Sequence, residues 1–178
     1  MTVSITLNII TLKKNSIFVI MNHRINIKTI AAVIVFVLSQ SSFASETTDS
    51  LMKMIRTGND SIRTEALASM AKYYYPEYPD SSLKYAKLAY EQALSIQNVR
   101  LQIVGLSLMG SNYRKFRQFD KSILYQKKAF YLSVKSENFN NAANTANNLA
   151  HIYMNVKDFP NALYYVKKSV AYFRKVND

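Results

Sequence analysis

Residues 80 to 90 read Asp80-Ser-Ser-Leu-Lys-Tyr-Ala-Lys-Leu-Ala-Tyr90, and two related stretches follow at intervals of forty residues. They are Asp120-Lys-Ser-Ile-Leu-Tyr-Gln-Lys-Lys-Ala-Phe130 and Pro160-Asn-Ala-Leu-Tyr-Tyr-Val-Lys-Lys-Ser-Val170. The three copies share a small residue, a branched apolar residue, a tyrosine and a lysine at matching places: Ser82, Ser122 and Ala162; Leu83, Ile123 and Leu163; Tyr85, Tyr125 and Tyr165; Lys87, Lys127 and Lys167. Self-similarity at a fixed period of this size is typical of stacked structural repeats.

A second marker precedes each copy. It is a tyrosine at Tyr73, Tyr113 and Tyr153. Three residues before these tyrosines lie Met70, Gly110 and Ala150. Together the two patterns predict three repeat units, at 59–98, 99–138 and 139–178.

Within each unit, apolar residues recur every three or four positions, as on one face of an α-helix. In the first unit the two faces are Ile62, Ala66, Met70 and Tyr73, then Leu83, Ala86, Tyr90 and Ala93. Helix breakers and caps separate the two runs of each unit, and Asp80, Asp120 and Asp158 are expected at the starts of the second helices. The sequence therefore predicts an all-α protein of three helix hairpins.

The spacing of small and aromatic residues resembles the tetratricopeptide repeat family. The matching residues are Met109-Gly110-x-x-Tyr113 and Leu149-Ala150-x-x-Tyr153, followed in the third unit by Ala162, Tyr165 and Ser169. The period of 40 exceeds the family's usual period of about 34 and is similar to that of its longer-repeat branches. The resemblance implies a right-handed superhelical stack of antiparallel helix hairpins, an α-solenoid whose first helices line a concave surface.

The opening of the second helix, Tyr78-Pro79-Asp80-Ser-Ser-Leu83, is also similar to exported repeat regions of sensor and regulator proteins of the Bacteroidetes. In those proteins the stack usually precedes a membrane helix and a histidine kinase or DNA-binding domain. The resemblance implies the sensory or interaction portion of a regulatory, signal-transducing system. The alternative is a truncated N-terminal part of such a sensor kinase or transcriptional regulator, because a stack normally ends in a polar capping helix that this sequence lacks.

The first forty-four residues resemble a secretory signal. From Met21 the chain is basic as far as Lys28, then apolar over residues 29–38, with small residues at Ser42 and Ala44. This pattern predicts cleavage after Ala44 and export, most simply to the periplasm. The ten-residue apolar run is shorter than the roughly 20 residues of a membrane span, so an uncleaved anchor is the less favoured alternative. Residues 45–58 are expected to form a leader helix that covers the first repeat.

The sequence offers little material for catalysis. It contains no Cys, which excludes disulfides and thiol chemistry, and only two His. His151 has no carboxylate three or four residues away, so a metal or catalytic role lacks support. We therefore expect no enzymatic activity, no cofactor and no metal.

Binding is the favoured function, and the polar residues of the first helices are the candidates. In the second and third units they are Ser107, Ser111, Arg114, Lys115, Asn144, Asn147, Asn148, His151 and Asn155; the first unit contributes Thr64, Leu67, Ala71, Tyr74 and Tyr75 at corresponding places. Amide groups can hydrogen-bond a peptide backbone, and the cations can pair with its carboxylates. The competing interpretation is an ordinary solvated helix surface.

The charge distribution bears on the partner. The chain has a formal net charge of +12, and residues 99–138 carry eight basic and two acidic side chains. A protein or peptide partner is expected, and no small-molecule substrate. Nucleic acid is disfavoured by the export signal, although an intracellular regulator whose basic second unit contacts nucleic acid is the alternative if that signal is inert. Membrane contact is expected only through the signal peptide or a missing C-terminal part.

Overall fold

The computed structural model describes residues 47–177, which form seven α-helices joined by short turns. The first, α1, covers 47–57. The others are α2 (Asp60–Tyr74), α3 (Pro79–Ser95), α4 (Val99–Lys115), α5 (Phe119–Lys135), α6 (Phe139–Asn155) and α7 (Phe159–Asn177). The prediction of an all-α fold of helix hairpins is confirmed.

The predicted signal sequence, 1–44, lies outside the described residues, as do residues 45 and 46 of the predicted leader. Within 47–177, no helix combines the length and the apolar character that a bilayer crossing requires.

Helices that follow one another in sequence pack against one another, so that α2/α3, α4/α5 and α6/α7 form hairpins. The first helices of successive hairpins, α2, α4 and α6, also contact each other, whereas α3, α5 and α7 show no comparable contact among themselves. The first helices therefore lie on the inner side of the stack. At its start, Ile55 of α1 packs against Leu67, Ala68 and Ala89.

The helices α3 to α6 are each 17 residues long and end in the same way. The residue after each C-cap has a positive φ, and these residues are Gln97 (54°), Arg117 (58°), Glu137 (54°) and Lys157 (61°). The next N–H then returns to a carbonyl of the last turn, as in Asn98 N to Ala93 O at 2.9 Å, which is a Schellman motif. Helix and turn together fill twenty positions, and two such segments make the forty-residue repeat.

The α2/α3 hairpin is one residue shorter. α2 has 15 residues and is followed by a four-residue turn, 75–78. Pro76 has its φ fixed near −65°, so it cannot adopt the left-handed conformation that the other turns use. The backbone stays right-handed at the C-cap Tyr75, with φ −54°, and the turn takes four residues instead of three. Every residue of α2 therefore lies one position later in the sequence than a forty-residue repeat of α4 and α6 would place it.

The predicted tyrosine register of the first unit is wrong for this reason. Tyr74, rather than Tyr73, stacks on Tyr85, with ring centroids 5.6 Å apart. The same parallel stacking joins the tyrosines of the other two hairpins, Tyr113 to Tyr125 at 5.3 Å and Tyr153 to Tyr165 at 5.6 Å.

The small residue that precedes the marker tyrosine is also displaced by one position in the first unit. Ser82 Oγ donates to the carbonyl oxygen of Ala71 at 2.7 Å, just as Ser122 Oγ donates to that of Gly110 at 2.7 Å. Ala71 is therefore the counterpart of Gly110, and Met70 is not.

The expected aspartate caps are found at one of three helices. α3 and α5 begin one residue before Asp80 and Asp120, whose carboxylates lie in the first turn, where the helix dipole favours them, without a side-chain capping bond. At α7 the expectation is confirmed, because Asp158 Oδ1 accepts from Asn161 N at 3.2 Å. The first helices of the hairpins are capped by asparagines: Asn59, Asn98 and Asn138.

Candidate functional site

The candidate residues of the second and third units lie on α4 and α6, the inner helices of their hairpins. The structure gathers six of the nine into two clusters. Ser107, Ser111 and Asn148 belong to a polar network, and Arg114, Lys115 and Asn155 line a cavity.

The polar network is centred on Gln126, a fully buried residue of α5. Its Nε2 donates to Ser107 O at 2.8 Å and to Ser111 Oγ at 3.2 Å. Ser107 Oγ donates to Gln126 Oε1 at 3.3 Å and accepts from Asn148 Nδ2 at 3.3 Å. Because both ends of the amide have partners, the burial of Gln126 carries no unmet polar group. The network joins the second hairpin to the third.

The sequence analysis did not identify Gln126, although a signal was present. The corresponding positions in the other repeats are Ala86 and Val166, so the second copy has an amide where the others are apolar. Gly110 of α4 packs directly against Gln126, since a Cβ added at Gly110 would lie 2.7 Å from Gln126 Cγ. The absence of a side chain at 110 therefore gives the glutamine room to pass between α4 and α5.

A cavity of about 300 Å³ lies at the ends of the inner helices and is lined by residues of all three hairpins, namely Tyr75, Arg114, Lys115, Arg117, Phe119 and Asn155. Arg114 Nη2 donates to Tyr75 Oη at 3.3 Å. Lys115 Nζ donates to Pro76 O at 2.6 Å and lies 4.6 Å from the centroid of the Tyr75 ring, within cation–π distance. These contacts hold two cations at the rim of the cavity.

The cavity's cations have no acidic partners in the part of the chain that the structure describes, where the ion pairs join Arg63 to Asp60 and Arg100 to Glu65. Arg114 and Lys115 lie in the last turn of α4, where the helix dipole favours positive charge. The two cations therefore also stabilise the end of their own helix. Arg117 lies beyond that helix, is exposed, and adds a third cation to the same cavity.

Three candidates remain outside both clusters. Asn144, Asn147 and His151 are exposed on α6. Asn144 Nδ2 donates to Asn140 Oδ1 of the same helix at 3.3 Å, and Asn147 and His151 lie one turn apart.

In the first unit, Thr64, Leu67 and Ala71 are buried and do not line a groove, because the one-residue displacement of α2 turns them toward the core. Tyr75 reaches the site from the turn. Within 47–177 no group of three His, Asp or Glu side chains is placed to hold a metal ion.

Comparison with known proteins finds similarity at the level of structure. No protein-family model and no curated protein matches the chain. Among solved structures, the chain is similar to that described as "Crystal structure of Aspartyl phosphate phosphatase F from Bacillus subtilis". The TM-score is 0.66 and the identity 22%, over 74% of this chain and 35% of the other.

The fold resembles a tetratricopeptide repeat domain. The chain spans about a third of the length of the solved protein, and at this identity the similarity establishes the fold and not the activity.

Proposed function

We propose that the inner face of α4 and α6 binds an extended, carboxylate-bearing segment of a partner protein. The observation that carries the proposal is the cavity at the ends of these helices, where Arg114, Lys115 and Arg117 lie together without acidic partners among the described residues. A tetratricopeptide-like stack is a fold suited to protein partners, which supports the same conclusion.

The two parts of the surface contribute differently. The cations supply charge-assisted hydrogen bonds to carboxylates, which are shorter and stronger than those between neutral groups. The exposed amides and imidazole of α6, at Asn147, His151 and Asn155, offer donors and acceptors to a peptide backbone. The network around Gln126 fixes Ser107 and Asn148 in place and so limits the side-chain entropy lost on binding.

The chain works by binding and not by catalysis, as the exported interaction portion of a regulatory system. The basic, apolar and small-residue pattern of residues 21–44 supports export to the periplasm. The basic second unit supports the competing function, an intracellular regulator that contacts nucleic acid. Cell fractionation separates the two, since export predicts recovery outside the cytoplasm without residues 1–44.

The binding proposal is tested by capture of partners from host extract. The test variant carries Arg114→Gln, Lys115→Gln, Asn147→Ala and His151→Ala, and the matched control carries Lys84→Gln and Lys87→Gln, two exposed lysines of α3. We expect the test variant to lose partners that the control retains, with the helical circular dichroism of both unchanged. The same partners on both variants would overturn the assignment of the surface.

A further inference from the structure

The hydrogen bonds around Gln126 have directions that the chemistry of their atoms fixes. Ser107 O is a backbone carbonyl oxygen and can only accept, so the end of the Gln126 amide that meets it at 2.8 Å must be the nitrogen Nε2. The other end, Oε1, therefore faces the Ser107 hydroxyl at 3.3 Å and accepts its proton. One contact with a carbonyl oxygen thus sets the orientation of the whole Gln126 amide.

This orientation determines that of Asn148. Because the Ser107 hydroxyl gives its single proton to Gln126 Oε1, it can only accept from Asn148, at 3.3 Å. Asn148 must therefore turn its Nδ2 nitrogen toward Ser107. The oxygen Oδ1, at the other end of the same amide, is left as an acceptor, and none of the described residues donates to it.

Ser111 is left with the opposite polarity. Its Oγ accepts from Gln126 Nε2 at 3.2 Å, so its own proton remains free to be donated, and no described residue accepts it. Ser111 and Asn148 are both half-buried residues of the inner helices α4 and α6. The network therefore offers one donor and one acceptor, which the C=O and N–H groups of a peptide backbone complement.

The position of Ser111 connects this pair of groups to the cationic cavity. Ser111 precedes Arg114 and Lys115 by three and four residues on α4, a spacing that puts side chains on the same face of a helix, about 5–6 Å apart at Cβ. An extended chain advances about 3.3 Å per residue. A segment whose carboxylate occupies the cavity can therefore bring its backbone to Ser111 within about two residues.

We propose that Gln126 is a positioning residue for this surface, which it makes selective for the N–H groups of an extended peptide backbone by orienting Ser107 and Asn148. The inference rests on the proposed function, in which Arg114 and Lys115 anchor a carboxylate of the same segment. Gln126 is fully buried, so it acts through its neighbours and not by contact with the segment.

The test measures this selectivity with the full 178-residue chain and two synthetic probes. One probe is a capped peptide with a single aspartate between two runs of glycine, and the other is the same peptide methylated at every backbone nitrogen. Both keep the carboxylate and the carbonyl oxygens, so they differ in their N–H groups. In NMR titrations we expect the unmethylated probe to bind about fivefold more tightly, as for one additional hydrogen bond.

Gln126→Met is expected to reduce this ratio to near unity and to leave the affinity for the methylated probe unchanged, because an apolar side chain no longer orients the Asn148 amide. The fold is expected to accept the change, since the other repeats have Ala86 and Val166 at this position. Asn148→Ala removes the acceptor itself, outside the core, and should reduce the ratio in the same way.

Asn112→Leu is the matched control. Asn112 is also a fully buried amide, but it donates to Ser82 and to the carbonyl oxygen of Leu108, which are not part of the Gln126 network. This variant should keep the fivefold ratio. A ratio that Asn112→Leu and Gln126→Met abolish alike would assign the effect to the stability of the core and overturn the positioning role.

Arg114→Gln together with Lys115→Gln separates the inference from the proposed function, because it should weaken both probes equally. Equal binding of the two probes by the parent chain, or a fivefold ratio that survives Gln126→Met, would overturn the role of Gln126 and leave the carboxylate site intact. Binding of neither probe, or binding that the loss of the two cations does not weaken, would overturn both.

Discussion

Tyr74 of α2 stacks on Tyr85 of α3 with ring planes 9° apart, and its neighbour Tyr73 meets Tyr74 edge-on, with planes 80° apart. The stacked pair is the first of three that close the hairpins of the stack. The contact between α2 and α3 therefore depends on Tyr74 more than on Tyr73, although the two side chains are chemically identical.

Replacing Tyr74 with Ala should lower the free energy of unfolding by about 2 kcal/mol, because it removes a stacked pair and the apolar surface that the pair buries. Tyr73→Ala is the matched control and should cost less than about 1 kcal/mol, because Tyr73 is 38% exposed. Urea unfolding of the two variants measures the difference. A larger loss of unfolding free energy for Tyr73→Ala than for Tyr74→Ala would mean that Tyr73 is the equivalent of Tyr113 after all.

Gly110→Ala should destabilise the chain by about 1 to 3 kcal/mol, because the new methyl group meets the hydrogen-bonded Gln126 side chain inside the core. In a Gln126→Ala background the same substitution should instead stabilise by about 1 kcal/mol, the difference in helix propensity between Ala and Gly. A double-mutant cycle measured by thermal unfolding reports this change of sign. Equal effects of Gly110→Ala in both backgrounds would contradict the close approach of the two residues.

The left-handed residues at the helix ends provide a test of the turns. Lys157 has φ 61°, a conformation that costs a non-glycine residue about 1 kcal/mol. Lys157→Gly should therefore be more stable than Lys157→Ala by about 1 kcal/mol, although both remove the same charge. Equal melting temperatures for the two variants would mean that the turn does not use this backbone conformation.

Tyr165 gives the fold a predicted sensitivity to alkali. Burial, together with the nearby Tyr131, Tyr153 and Tyr164, raises the pKa of Tyr165 above its ordinary value. Below about pH 10 the phenol is neutral in both the folded and unfolded chains and stability is unaffected. Above that pH the unfolded chain loses the proton first, so the free energy of unfolding should fall, by up to about 1.4 kcal/mol per pH unit.

Tyr165→Phe should make this alkaline fall shallower, whereas the control Tyr164→Phe, at a half-exposed neighbour, should change it less. Chemical unfolding between pH 8 and about 11 provides the measurement, since this range spans the ordinary tyrosine pKa. If the Tyr165→Phe variant lost stability as steeply as the parent chain, the buried phenol would not govern the response.

Much of the fold could be predicted because the chain repeats itself. Matching residues forty apart, with apolar spacing of three and four, leave few alternatives to stacked helix hairpins. The register of the first unit was predicted wrongly because Pro76 changes the turn and displaces α2 by one residue. The sequence still shows a tyrosine, Tyr73, forty residues before Tyr113, so the displacement is not visible in the repeat pattern.

The site was less predictable than the fold. Arg114 and Asn155 are far apart in sequence, and only the packing of successive hairpins brings them to one cavity. Gln126 was recognisable in principle as an amide at an apolar repeat position. Its bond to Ser107, and the bond from Asn148 to Ser107, however, follow from how closely α4 approaches α5 and α6, which residue spacing does not specify.

Site-specific photocross-linking in the producing cells tests the proposed binding surface most directly. A photoreactive amino acid replaces His151 on the inner face or, as a control, the exposed Leu124 on α5. Partner adducts should form from position 151, not from position 124, and should disappear when Arg114 and Lys115 are both changed to Gln. Adducts from position 124 alone, or adducts from 151 that persist without the two cations, would contradict binding of a partner at this surface.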